Sequence, residues 1–190
     1  MRRGAFGALL FAALCIALAF LTLPIVAVFV NTAPGDLIAS LGEPEARDAL
    51  WLSLRTSLAA LAIIVIVGTP AAYLLATRAF RGRALVMTLI ELPLVLPPAV
   101  AGIALLAAFG PEGLLGGALE DAGVQLVLQT AGVIVALTFV ASPFYLRQAQ
   151  AAFAAVDRSL MEAARTLGAS EARAFLRVAV PCAGQGITAG

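Results

Sequence analysis

Four long stretches almost without charge govern what this chain can become: residues 6–30, 57–77, 84–109 and 126–146. Each reaches the roughly 17–25 apolar residues that cross about 30 Å of hydrocarbon as a helix. Helices are the fitting element, because backbone N–H and C=O groups inside a bilayer must be satisfied within their own segment. The chain is 62% hydrophobic and 12% charged, against about 45–50% and 25% in soluble domains. The expected class is an all-α, polytopic helical membrane protein. The first stretch follows Arg2 and Arg3, runs too long for a secretory signal and has no A-x-A-like site behind it. It therefore reads as an uncleaved anchor helix.

Absences narrow the chemistry. No histidine is present, which excludes His-based acid–base catalysis, Ser-His-Asp triads and imidazole metal sites. No lysine is present either, so no phosphate-cradling Gly-Lys-Ser/Thr loop exists in this chain. If the protein uses ATP, another chain hydrolyses it; this chain binds no cofactor, and no metal site is expected. Cys15 and Cys182 read as two small buried hydrophobes at different depths rather than a bridge. The net charge of +1 offers no basic field for nucleic acid.

Arginine sets the direction. With the N-terminus in the cytoplasm, the inner segments hold Arg2, Arg3, Arg78, Arg81, Arg83, Arg147, Arg158, Arg165, Arg173 and Arg177, which is ten of the 12. That is the positive-inside bias. The outer loops collect acids instead: Asp36, Glu43, Glu45 and Asp48, then Glu112, Glu120 and Asp121. Four crossings and a cytoplasmic segment, residues 147–181, follow from this. Residues 182–190 turn apolar and Gly-rich again, as the start of a fifth crossing that breaks off, so a longer protein is expected. The domain division is residues 1–50, the first helix and its outer loop, and residues 51–190.

The third stretch carries Glu91, Pro93, Pro97 and Pro98, with Gly102 after them. Prolines remove donors and clash with preceding carbonyls, so a regular helix must break or kink here. Such a break either lines a wet pathway or fits neighbouring helices. Gly68, Pro70 and Pro143 are weaker instances. Glu91 is the ionisable residue inside a span, and it should face protein or water. Like charges repel, so it suits a structural or gating hydrogen bond better than direct contact with an anion.

The cytoplasmic segment is the richest. Ser159-x-x-Glu162 is a capping-box pattern, with Asp157 as a competing cap. Gly168 suits the left-handed position that ends a helix, Ser170 caps the next, and Pro181 stops it. Leu160, Ala164 and Leu167 form one apolar stripe, and Ala172, Phe175, Leu176 and Ala179 a second. Arg158–Glu162 and Glu162–Arg165 are spaced to pair on the first helix. By itself this could be an amphipathic loop resting on lipid.

The order Glu162-Ala163-Ala164, three residues, Gly168, then Val178 and Val180-Pro181 resembles the "EAA loop" of ATP-binding cassette import permeases. The family has Leu-Pro where this chain has Val180-Pro181. Similarity extends from about Trp51 to Gly190, through Leu52-Ser53-Leu54-Arg55-Thr56-Ser57, Pro93-Leu94-Val95-Leu96-Pro97-Pro98 and Ala155-Val156-Asp157. Among such permeases these runs look most like the molybdate/tungstate type, then the sulfate type. The family ordinarily has two further crossings.

The resemblance implies a transport subunit rather than an enzyme, with Glu162, Ala163, Ala164, Gly168 and Pro181 docking against a partner ATPase that consumes the ATP. It implies a second permease copy, a periplasmic or lipoprotein substrate-binding protein, and contact with membrane lipid. Two small alanines admit a close surface, Glu162 offers a carboxylate, and Gly168 permits a sharp turn. The possible pathway residues are Glu91, Pro93, Pro97 and Pro98. A membrane anchor or channel subunit without an ATPase is the rival of another class.

Overall fold

The computed structural model describes residues 2–31, 35 and 39–187. Asp36, assigned above to an outer loop, and residues 188–190 of the apolar tail lie outside them. Among the described residues the regular structure is helical, with no strand. The chain divides into two compact units, Met1–Trp51 and Leu52–Gly190. The first holds α1 (Arg2–Asn31), which carries Pro24 without a break. Its sequence is apolar around the whole circumference, as suits a helix in lipid.

Helix α2 (Pro44–Thr77) starts well before residue 57. Glu45 and Asp48 belong to its first turns rather than to a loop. Pro44 fits the first helical position, and neither Gly nor Pro interrupts the chain until Gly68. Pro70 is absorbed inside the helix. The buried residues Thr56, Ala60, Ile64, Gly68, Ala72 and Leu75 recur at steps of four and then three. Such steps lay one stripe along one face. Because most of its members are small, a neighbouring backbone can come close, which is how helices associate in membranes.

The neighbour is α6 (Thr130–Ala154), reached through α3 (Arg83–Val95), α4 (Pro98–Phe109) and a short α5 (Gly116–Asp121). Tyr145 of α6 lies against Gly68 and shares a 2.6 Å hydrogen bond between its hydroxyl and Thr69 Oγ1. Further along, Tyr73 meets Phe153 edge-on at 5.4 Å and Phe175 at 4.8 Å. Ile64, Ala72, Tyr145, Ala149, Phe153, Ala179 and Ala183 form the core. Pro143 is fully buried within α6 and does not interrupt it. The fourth span thus begins at Thr130 instead of residue 126, and its helix runs past residue 146 to Ala154.

The third stretch is broken, and the break is sharper than a kink. Leu96 is extended, Pro97 follows outside helical geometry, and Pro98 opens α4. Pro93 lies inside α3, so the neighbouring Pro97-Pro98 pair makes the break. The two helices meet at 119°. Neither alone crosses: helices of 13 and 12 residues reach about 18–20 Å against about 30 Å of hydrocarbon.

Side-chain contacts show that the connection from α2 to α6 runs from one end of this helix pair to the other. Arg78, just after α2, pairs with Glu171 beyond α6 at 2.6 Å. Tyr73 and Phe153 touch close to the same two helix ends. The end of α2 and the end of α6 therefore share one face. As α6 is long and apolar enough to span a membrane, its start at Thr130 lies at the opposite end, and residues 83–129 connect the two. Arg83 Nε also donates to the Leu75 carbonyl at 3.0 Å, tying the arginine-rich connection to an α2 carbonyl left near the helix end.

Candidate functional site

Beyond α6 the chain makes α7 (Arg158–Thr166), a tight turn, and α8 (Glu171–Ala174). The N-cap is Asp157, whose carboxylate accepts from the Ser159 N–H at 2.9 Å. The Ser159–Glu162 capping box does not form, because Ser159 is already inside the helix. A charged carboxylate also answers the helix N-terminus better than a hydroxyl does. That backbone hydrogen bond, with the Ser159 side chain second, holds the Asp157 carboxyl below its ordinary value.

A depressed carboxyl contributes stability that is present above the ordinary carboxylate range and lost as pH falls through the depressed value. Protection of the first α7 amides from hydrogen exchange should hold near neutrality and fade in acid. Asp157→Asn should flatten that pH response, while Asp157→Ala should remove the protection even at neutral pH.

Gly168 ends α7 as expected, with φ of 84°. The Ala169 N–H donates to Ala164 O at 3.0 Å and the Gly168 N–H to Arg165 O at 2.9 Å. This nested pair is the Schellman closure. Ser170 then caps α8, its Oγ accepting from Arg173 N–H at 3.4 Å. Pro181 does not stop the second helix. A π turn (Phe175–Ala179) leads directly into α9 (Val180–Ile187), with Pro181 in its first turn. The Val180 N–H reaches back five residues to Phe175 O. A wider turn gives the proline ring room and makes the absent donor less disruptive.

The π turn also changes which residues face inward. Ala174, Ala179 and Ala183 are buried and Phe175 is half-buried, whereas Leu176 is 63% exposed and Ala172 points out. On α7, Met161 and Ala164 turn inward, while Leu160 and Leu167 are 46% and 88% exposed. The apolar side chains of the expected stripes are thus divided between packing and an open surface.

A cleft of about 410 Å³ opens between α7 and the ends of α2 and α6. Tyr73, Phe153 and Met161 line its apolar part, and Arg78, Arg158, Arg165, Glu162 and Glu171 its charged part. Among the described residues the ion pairs here run to Glu171, from Arg78 at 2.6 Å and Arg165 at 3.7 Å. The expected Arg158–Glu162 and Glu162–Arg165 pairs are not made, because the Gly168 turn brings Glu171 back beside Arg165. Glu162 and Ala163 are exposed, and Glu162 faces the cleft. Away from the cleft, Glu91 Oε1 of α3 lies 3.6 Å from Arg147 Nε of α6. The broken stretch and the segment at 157–181 are separate places, so the sequence-derived residues form two groups rather than one site.

A family model described as binding-protein-dependent transport system inner membrane component matches residues 65–190. The chain belongs to this family. It is 40% identical over 173 residues to a probable molybdenum ABC transporter permease protein of Haloferax volcanii, covering 91% of this chain and 63% of that protein. It is 38% identical to a molybdenum transport system permease protein of Mycobacterium tuberculosis (90% and 65% covered). Against a molybdate/tungstate transport system permease protein of Pyrococcus abyssi it is 36% identical (95% and 69% covered). The chain thus spans a little under two thirds of the first two relatives.

As a transport-system inner membrane component, the chain is a multi-pass membrane protein. In this permease fold the segment from Asp157 to Pro181 is an independently capped helix–turn–helix held to the end of α2 by ions and to α6 by rings. Sequence reasoning singled out Glu162, Ala163, Ala164, Gly168 and Pro181 and gave no ion-pair role to Arg78 or Glu171. Their only signal was opposite charge on two segments assigned to the same face. Arg147 was placed just past its span, and only the extension of α6 to Ala154 shows it within the helix.

Proposed function

We propose that this chain is the membrane-spanning subunit of an ATP-driven, binding-protein-dependent importer of a tetrahedral oxyanion, molybdate or tungstate ahead of sulfate. The observation that carries the reading is the loop at 157–181: a capped helix, closed by a left-handed Gly168, presents exposed Glu162 and Ala163 beside a charged cleft. The names of the relatives support the substrate class. In this reading α7 docks on a partner ATPase, which binds and hydrolyses the ATP. A second copy of the permease completes the passage, lipid surrounds the spans, and a binding protein delivers the anion to the opposite face.

The arginine-rich face is then cytoplasmic, as is the N-terminus. Closure of the ATPase moves α7, and the ring and ion contacts pass that motion to α2 and α6 as a rigid body. Co-purification of the full-length protein tests this. An ATPase with a Walker lysine should come down with it, and the Glu162→Arg/Gly168→Val double variant should lose that partner. Recovery of the intact protein without any ATPase would favour an anchor or channel subunit and sink the importer reading.

A further inference from the structure

The Glu91–Arg147 pair has no role in ATPase docking, yet it sits where charges are costly. Glu91 lies about 12 Å along α3 from Arg83, and Arg147 about 10 Å along α6 from Ala154. Their side chains are 42% and 59% exposed. Half-exposed charges at that depth cannot face hydrocarbon and instead face water or protein. The same helix α3 ends at the Leu96–Pro97 break. Irregular backbone inside a membrane is likewise confined to protein-covered or water-lined places. Two independent features of one helix thus point to a place beside α3 and α6 that is either covered by protein or lined by water.

The pair is loose. A separation of 3.6 Å from Nε to Oε1 is beyond hydrogen-bond length. A guanidinium offers two parallel donors to a carboxylate, and the same fork fits two oxygens of a tetrahedral oxyanion. We propose that Arg147 is a transient binding site for the transported oxyanion, with Glu91 as the internal counter-ion that the anion displaces and that later expels it. The carboxylate keeps the arginine compensated when the passage is empty. It also limits affinity, which a passage requires so that a bound ion can leave. This inference rests on the oxyanion-importer reading.

The experiment uses the full-length permease with its ATPase and binding protein in proteoliposomes, measuring radiolabelled molybdate import and ATP hydrolysis together. Arg147→Gln should lower import about ten- to hundredfold, the loss of one charge-assisted contact, with ATP hydrolysis little changed. Arg147→Lys should keep most of the import. The Glu91→Gln/Arg147→Gln variant, an uncharged pair of similar shape, should import as poorly as Arg147→Gln alone. Restored import in that double variant, or a joint fall of import and ATP hydrolysis in Arg147→Gln, would show a structural strut and overturn the proposal. So would undiminished import in Arg147→Gln. A wild-type preparation that imports no oxyanion would overturn the importer reading, and this inference with it.

Discussion

Replacing Gly168 by valine should nearly abolish coupled uptake while leaving the spans folded. Gly168 sits at φ of 84°, and nothing lies within 4 Å of where its Cβ would be. The effect is therefore purely one of backbone conformation. An L-residue there costs roughly 1–2 kcal/mol, and a β-branched one more. The strain falls on a helix of nine residues, a length that is not stable alone in water. Opening the turn loses the Ala169–Ala164 and Gly168–Arg165 hydrogen bonds and moves Glu171 away from Arg165 and Arg78. Asparagine visits the left-handed region readily, so Gly168→Asn should stay close to wild type and Gly168→Ala should fall between. Radiolabelled oxyanion uptake against ATP hydrolysis in the full-length transporter reads the series. Wild-type uptake by Gly168→Val would reject the rigid-loop mechanism.

The second large effect belongs to the membrane core. A Cβ on Gly68 would lie 2.9 and 3.0 Å from two ring carbons of Tyr145. Unlike Gly168, this position has an ordinary helical backbone, so its constraint is space alone. Gly68→Leu must part α2 from α6 or turn the tyrosine away, and turning it breaks the Thr69 hydrogen bond. Overpacking costs about 1–3 kcal/mol, and a hydrogen bond between membrane helices adds about 0.6. For a chain of this size the sum corresponds to a fall in Tm of about 3–14 °C, read by thermal denaturation of the detergent-solubilised full-length protein. Gly68→Leu combined with Tyr145→Ala should recover part of the loss. A larger fall in the combination would show that the contact is not where the strain lies.

These two glycines also show how far the residues alone could be read. Gly168 was legible because its role is local: an apolar helical pattern stops there, and a cap residue follows two positions later. Gly68 was noted only as a weak irregularity, since its reason is a tyrosine 77 positions away. The spans were legible from hydropathy, but their ends were not. The residues before 57 and after 146 continue their helices, which a hydropathy pattern does not reveal. The broken third stretch followed from its prolines, whereas its angle is set by packing. Within the segment at 157–181, the motif residues stood out by their order. The ion pairs did not, because Glu171 is reached by Arg165 through the turn and by Arg78 from a different span connection.

The π turn at Phe175–Ala179 has a consequence for chain length. Such a turn holds one residue more than the α-helix around it. Removing one residue there would return the segment to ordinary α geometry and rotate everything on one side of the joint by about 100°. The buried alanines on the two sides, Ala174 before and Ala183 after, would no longer face the same neighbour. The joint is thus a phase setter: it fixes the angle of α7 and α8 relative to α9. Homologous chains that lack the extra residue would present α7 turned relative to α9.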